Sequence, residues 1–194
     1  NLWNFLFFTG YLKAEEKRME GADIWLRMSI PNVEVGSVYR QSISSWFGEK
    51  VSRTDRTPMI KALEEGDVQA AEEFICRQLA DTISYFDYAE NYYHGFLTGL
   101  LSGIDQYQVQ SNRESGTGRP DLIIRENRFR GRAMILELKV AKVIAEMEEL
   151  CEEAIRQIET EDYAASLEAD GYNPILKYGI CFFKKGCMVR KGDR

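Results

Sequence analysis

The sequence predicts an α/β domain, a mixed central sheet flanked by helices, preceded by a small mainly helical unit. Three observations carry this. Before Gly103, apart from one strand-like stretch, apolar residues recur at helical spacings. From Tyr107 to Val140 they form three short alternating or aliphatic runs, punctuated by Gly116, Gly118 and Gly131. A long amphipathic stretch then leads to one more aliphatic run, Ile175 to Phe183. The order is helix, a three-strand meander, helix, strand. With 194 residues, 44% of them hydrophobic, the chain can bury one substantial core and a small second unit.

Taken in order, Leu2, Trp3, Phe5, Leu6, Phe7 and Phe8 form an apolar patch that ends at Gly10 and predicts a short helix. Ala22 to Ile30 has strand composition and stops at Pro31; Asn32 can then cap a helix carrying Val35, Val38, Tyr39, Ile43 and Trp46. The turn-rich stretch Ser52 to Pro58 divides a linker-like unit, 1–57, from a second domain, 58–194. Helices start near Met59 and Asp67, the latter burying the stripe Val68, Ala71, Phe74, Ile75, Leu79 and Ile83.

Ala89 to Leu101 is too densely apolar for a surface helix, and Gly95 and Gly99 predict its close approach to a sheet. The strands Tyr107 to Asn112, Asp121 to Ile124 and Ala133 to Val140 follow. After them come a helix from about Val143 to Ile158, a short helix around Tyr163 to Glu168, the strand Ile175 to Phe183, and a terminal hairpin near Gly186.

Composition excludes several function classes. No apolar run reaches the length of a membrane span, and Leu2 to Phe8 lacks the basic flank and cleavage pattern of a secretory signal. A cytoplasmic protein without a membrane partner is expected, and the missing initiator methionine suggests a fragment. Cys76, Cys151, Cys181 and Cys187 are widely spaced and His94 is the single histidine, so a thiolate and imidazole zinc site is not expected and the thiols read as reduced and mostly buried.

A formal net charge of -6 argues against non-specific coating of nucleic acid. Charge is unevenly spread, however. Arg113, Arg119, Arg125, Arg128, Arg130, Arg132, Lys139 and Lys142 face only Glu114, Asp121, Glu126 and Glu137 in one segment, while the stretch from Glu146 to Asp170 is strongly acidic, as a solvated helix face would be.

Within the basic segment lie Pro120-Asp121 and, one strand later, Glu137-Leu138-Lys139. Carboxylates at the ends of neighbouring strands can jointly hold a hard divalent cation, which needs one or two carboxylates and a carbonyl and keeps several waters. Asp121, Glu137 and the Leu138 carbonyl fit that requirement. Side chains two apart in a strand share a face, so Lys139 points with Glu137, while Leu136 and Leu138 point into the opposite layer. Such a cation with an adjacent ammonium is suited to phosphodiester hydrolysis. The competing account is a surface Glu and Lys pair beside a capping Asp.

The run from Asn112 to Asp121, the strand Met134-Ile135-Leu136-Glu137-Leu138-Lys139-Val140, and Gln157-Ile158 on the next helix together resemble the PD-(D/E)XK nuclease superfamily. More narrowly, the chain is similar to the nuclease domain found C-terminal to AAA-ATPase-like domains. The likeness extends to Glu90-Asn91-Tyr92-Tyr93-His94-Gly95-Phe96-Leu97 and to Lys177-Tyr178-Gly179-Ile180, about residues 58 to 190. Residues 1 to 50 resemble the segment joining ATPase to nuclease, although no phosphate-binding GxxxxGK[ST] loop occurs.

The resemblance implies a restriction-endonuclease-like core and a Mg2+- or Mn2+-dependent hydrolase acting on nucleic acid, with DNA favoured over RNA as the substrate. It assigns Asp121 and Glu137 as metal ligands, Lys139 as the catalytic lysine, Glu90 as a further metal ligand, and Gln157 as a partner of substrate or lysine, with Tyr163 extending that motif. A Glu near a helix start is also stabilised by the helix dipole alone. His94, one turn after Glu90, is either a substrate contact or a structural histidine. Arg119 and Arg113 could hold phosphates, and Glu114 could bind metal; turn scaffolding is the alternative.

Tyr85, Tyr88, Tyr92 and Tyr93 read as core rather than a base-stacking platform. Arg125, Arg128, Arg130 and Arg132 read equally as phosphate contacts or as solvated turn charges. The runner-up function is a catalytically silent regulatory or nucleic-acid-binding module.

Overall fold

In a computed structural model, residues 2–21, 23–38, 54–82, 90–111 and 119–193 are described. The chain divides into two compact units, Asn1–Arg53 and Thr54–Arg194. The first contains helix α1 (Leu2–Phe8) and an antiparallel hairpin of β1 (Lys13–Glu20) and β2 (Asp23–Ser29). A helical turn, 33–38, follows, in which the Asn32 carboxamide accepts the Val35 N–H at 2.9 Å, the expected cap. The strand β1 is absent from the sequence reading, which made this unit mainly helical. Its Lys-Ala-Glu-Glu-Lys-Arg-Met-Glu composition has no apolar face, and the strand is defined by pairing with β2 rather than by burial. Ile43 and Trp46 lie outside the described residues, as do Ile83, Tyr85 and Tyr88.

The second unit is a five-stranded sheet, ordered β3 (Tyr107–Ser111), β4 (Leu122–Glu126), β5 (Ala133–Val140), β6 (Ile175–Phe183), β7 (Gly186–Lys191). All neighbours are antiparallel except β5 and β6, which makes the sheet mixed. The helices are α2 (Thr57–Glu65), α3 (Val68–Thr82), α4 (Glu90–Leu101), α5 (Met147–Thr160) and α6 (Ala165–Ala169), with a 3-10 turn, Ile144–Glu146, before α5. Meander, crossover helix and final hairpin follow the expected order.

Alternation sorts the sheet into two faces. On one, the Tyr178 hydroxyl donates to the Leu63 carbonyl of α2, and the Tyr93 ring of α4 stacks on Phe182 at 4.5 Å. Tyr93 is buried, as core packing required. The Arg56 guanidinium donates to the Leu100, Ser102 and Gly103 carbonyls, closing the C-terminus of α4 with a positive charge where the helix dipole favours one. On the other face, Ile123 and Ile135 pack with Ile158 of α5, Tyr163, Ala164 and Leu167, and Cys151 and Met147 pack with Cys181 and Ala141.

Gly95 of α4 does not make the expected approach: it is exposed and a Cβ there would meet nothing within 4 Å. The close approach is at Gly179 in β6, where a Cβ would lie 2.2 Å from the Cys151 carbonyl of α5.

All four cysteines are free, and three are buried. Cys76 on α3 and Cys187 on β7 bring their Sγ atoms to 3.4 Å. The Cys187 thiol hydrogen bond lowers the Cys76 thiol to about 7 from its ordinary value, assisted by the Cys187 N–H. Thiolate is the reactive form, so alkylation of the folded protein by iodoacetamide should rise through pH 7. In Cys187→Ala its midpoint should move up toward the ordinary thiol value of about 8.5. An unchanged midpoint would contradict the assigned hydrogen bond.

Candidate metal-dependent active site

The site forms where β4 begins and β5 ends. The first β4–β5 pair is Leu122 with Leu136, so Asp121 stands one residue outside the ladder, beside the continuing stretch 137–140 of β5. Its Oδ2 accepts the Leu138 N–H at 2.8 Å, and its own N–H points to Oε2 of Glu137 at 3.4 Å. Glu137 is 4% exposed. A residue's N–H and C=O point to the same side of a strand, so the Leu138 carbonyl also faces the Asp121 side.

Lys139 shares the Glu137 face. Its ammonium donates to Oε1 of Gln157 on α5 at 2.6 Å and lies 3.7 Å from the Glu153 carboxylate, one turn earlier on the same helix. The Gln157 amide in turn donates to the Tyr163 hydroxyl at 3.4 Å. Burial holds the Tyr163 phenol above its usual range, and the Glu137 and Asp121 carboxylates push the same way. Tyr163 therefore keeps its proton near neutrality.

His94 is 9% exposed, and its Nε2 lies 3.1 Å from the Asp121 carbonyl and 3.4 Å from Oγ of Ser111. Glu90 opens α4 one turn earlier; its side chain, Arg113 and Glu114 lie outside the described residues. Arg119 is exposed two residues before Asp121.

Arg125 near the end of β4 and Arg128, Arg130 and Arg132 in the β4–β5 turn sit at the far end of the strand from Asp121, at least about 13 Å away at ~3.3 Å per residue. Arg128 and Arg132 share the Glu126 carboxylate, Arg132 also pairs with Glu64, and Arg125 donates to the neutral Gln110 amide oxygen.

Among the described residues no group of three or more His, Cys, Asp or Glu forms a metal cluster. The paired carboxylates and the Leu138 carbonyl are nevertheless an all-oxygen donor set, and Mg2+ takes one or two carboxylates and keeps its remaining waters. This donor set fits a hard divalent cation and suits no soft one.

The sequence model of the PD-(D/E)XK nuclease superfamily matches residues 88–192, more than half of the chain and all of the elements that build this site. The chain belongs to the PD-(D/E)XK nuclease superfamily. Its members are in the main metal-dependent nucleases, which fits the acidic pair and the neighbouring lysine. The fold is the restriction-endonuclease-like one that the sequence predicted, a mixed sheet between helices. Helices α2 and α3 precede the matched span yet belong to the same compact unit. No curated protein and no solved structure matches the chain. No helix among the described residues is long and apolar enough to cross a membrane.

Sequence reasoning missed Glu153 and Ser111 as neighbours of the site. Glu153 had a readable signal: it lies four residues before Gln157, and residues so spaced share a helix face.

Proposed function

We propose that the protein is a Mg2+- or Mn2+-dependent nuclease, a cytoplasmic DNase. What supports this reading above all is the meeting of Asp121 and Glu137 at the β4–β5 edge with Lys139 on the Glu137 face. A bound divalent cation supplies a water of lowered pKa and offsets negative charge on the phosphoryl oxygens. Asp121 and Glu137 provide carboxylate oxygens and Leu138 a carbonyl; Glu90 and Glu114 are proposed to complete the acidic shell. Lys139 holds the attacking water in line or the phosphoryl oxygens, and Gln157, 2.6 Å from its ammonium, aims it. Arg119 and Arg113 take flanking phosphates.

Residues 1–57 serve as a connection to an AAA-ATPase-like domain, and 58–194 as the nuclease. The alternative of a silent nucleic-acid-binding module would not need Asp121, Glu137 and Lys139 kept together. Incubating the whole chain with single- and double-stranded DNA and RNA, with Mg2+ or Mn2+ and then with excess chelator, tests the reading. Cleavage of DNA that the chelator abolishes is the expected result. Binding without metal-dependent turnover of any of the four substrates would overturn it in favour of the module.

A further inference from the structure

Asp121 lies outside both of its ladders, since the pairings of β4 with β3 and with β5 begin at Leu122. Its orientation therefore depends on individual hydrogen bonds. Two of these go to β5, through the Glu137 carboxylate and the Leu138 N–H. Another comes from α4: His94 Nε2 is 3.1 Å from the Asp121 carbonyl. A carbonyl only accepts, so Nε2 carries the proton. His94 is 9% exposed, and burial of a polar ring is favourable only when its nitrogens are satisfied.

The helix that carries His94 is itself anchored. Tyr93, Phe96 and Leu97 beside it are in the core, and the Tyr93 hydroxyl donates to the Lys184 carbonyl at 2.8 Å. The imidazole thus transmits the position of a fixed helix to the one residue of the acidic pair that lies outside the strand ladders.

We propose that His94 is a positioning residue of the metal centre: its Nε2–H fixes the Asp121 backbone and so the direction from which the Asp121 carboxylate meets the cation. This rests on the reading of Asp121 as a metal ligand, and it assigns His94 a place behind the ligand rather than against the substrate. Groups that orient a ligand from behind govern metal affinity, and their loss weakens it by about 10- to 100-fold.

The test is Mn2+ binding to the whole chain, followed by the electron paramagnetic resonance of free Mn2+, with melting temperatures recorded in chelator. His94→Leu should bind Mn2+ about 10- to 100-fold more weakly. His94→Gln, whose amide N–H reaches the place of Nε2, should stay near wild type; His94→Asn is polar but too short and should weaken binding as leucine does. Equal Mn2+ affinity in the Gln and Asn variants overturns the proposal even if the leucine variant fails to fold. So does a His94→Leu protein that melts lower yet binds Mn2+ as wild type does, since the ring would then be packing alone. Asp121→Asn separates the two levels: if it binds Mn2+ like wild type, the metal reading fails and the proposal with it.

Discussion

Asp121→Asn and Lys139→Ala should each lower metal-dependent cleavage by at least about 100-fold, the scale on which positioned acid–base groups and electrostatic stabilisers act. The two variants remove different things. Asparagine keeps an oxygen for the Leu138 N–H, which Asp121 accepts at 2.8 Å, and so removes charge without orphaning a backbone donor. Asp121→Ala would mix loss of the ligand with loss of that bond. Lys139→Ala removes the ammonium and leaves Gln157 and Glu153 without it.

Gln157→Ala acts on the lysine from behind and should cost less, about 10-fold, and Glu153→Ala less again because its carboxylate is half exposed and screened by water. Single-turnover cleavage with circular dichroism of each variant checks the series. Wild-type cutting by both Asp121→Asn and Lys139→Ala would end the assignment of this centre.

The parts of the fold that were legible in the sequence are those whose burial writes a period. Strands β4, β5 and β6 are nearly continuous aliphatic runs because both faces are covered, and the stripe of α3 shows as buried Ala71, Ile75 and Leu79. Asp121, Glu137 and Lys139 could be read because strand geometry fixes which side chains share a face. Strand β1 could not, because its partner strand leaves Ile24 and Trp25 exposed and no apolar alternation marks the pair. The link from His94 to Asp121 joins residues 27 apart through a backbone carbonyl, and no side-chain pattern records such a contact. Gly179 is legible: a glycine inside the run Leu-Lys-Tyr-Gly-Ile-Cys-Phe-Phe marks a close backbone approach, whereas a glycine in an apolar helix need not.

Gly179→Ala should therefore be the most destabilising single methyl that can be added to this sheet, costing about 3 kcal/mol or more, at the upper end of overpacking. The new Cβ would stand 2.2 Å from the Cys151 carbonyl and 3.1 Å from the Ala154 Cβ. A helix carbonyl cannot swing aside as a side-chain end can, so α5 as a whole must lift. Gly179 is also the register partner of Glu137 on β5, and α5 carries Gln157 and Glu153. Lifting the helix therefore draws the Gln157 oxygen away from Lys139, and displacements of about 1 Å at a reacting centre can cost 100-fold in rate. Denaturant unfolding should show the loss of stability, and cleavage under conditions where the variant remains folded should show the loss of rate. Gly95→Ala is the matched control: it adds the same methyl to a helix position facing open space and should stabilise by about 0.5 to 1 kcal/mol. If Gly179→Ala unfolds at the same denaturant concentration as wild type, α5 does not lie on the sheet at this distance, and the route by which it sets Lys139 fails.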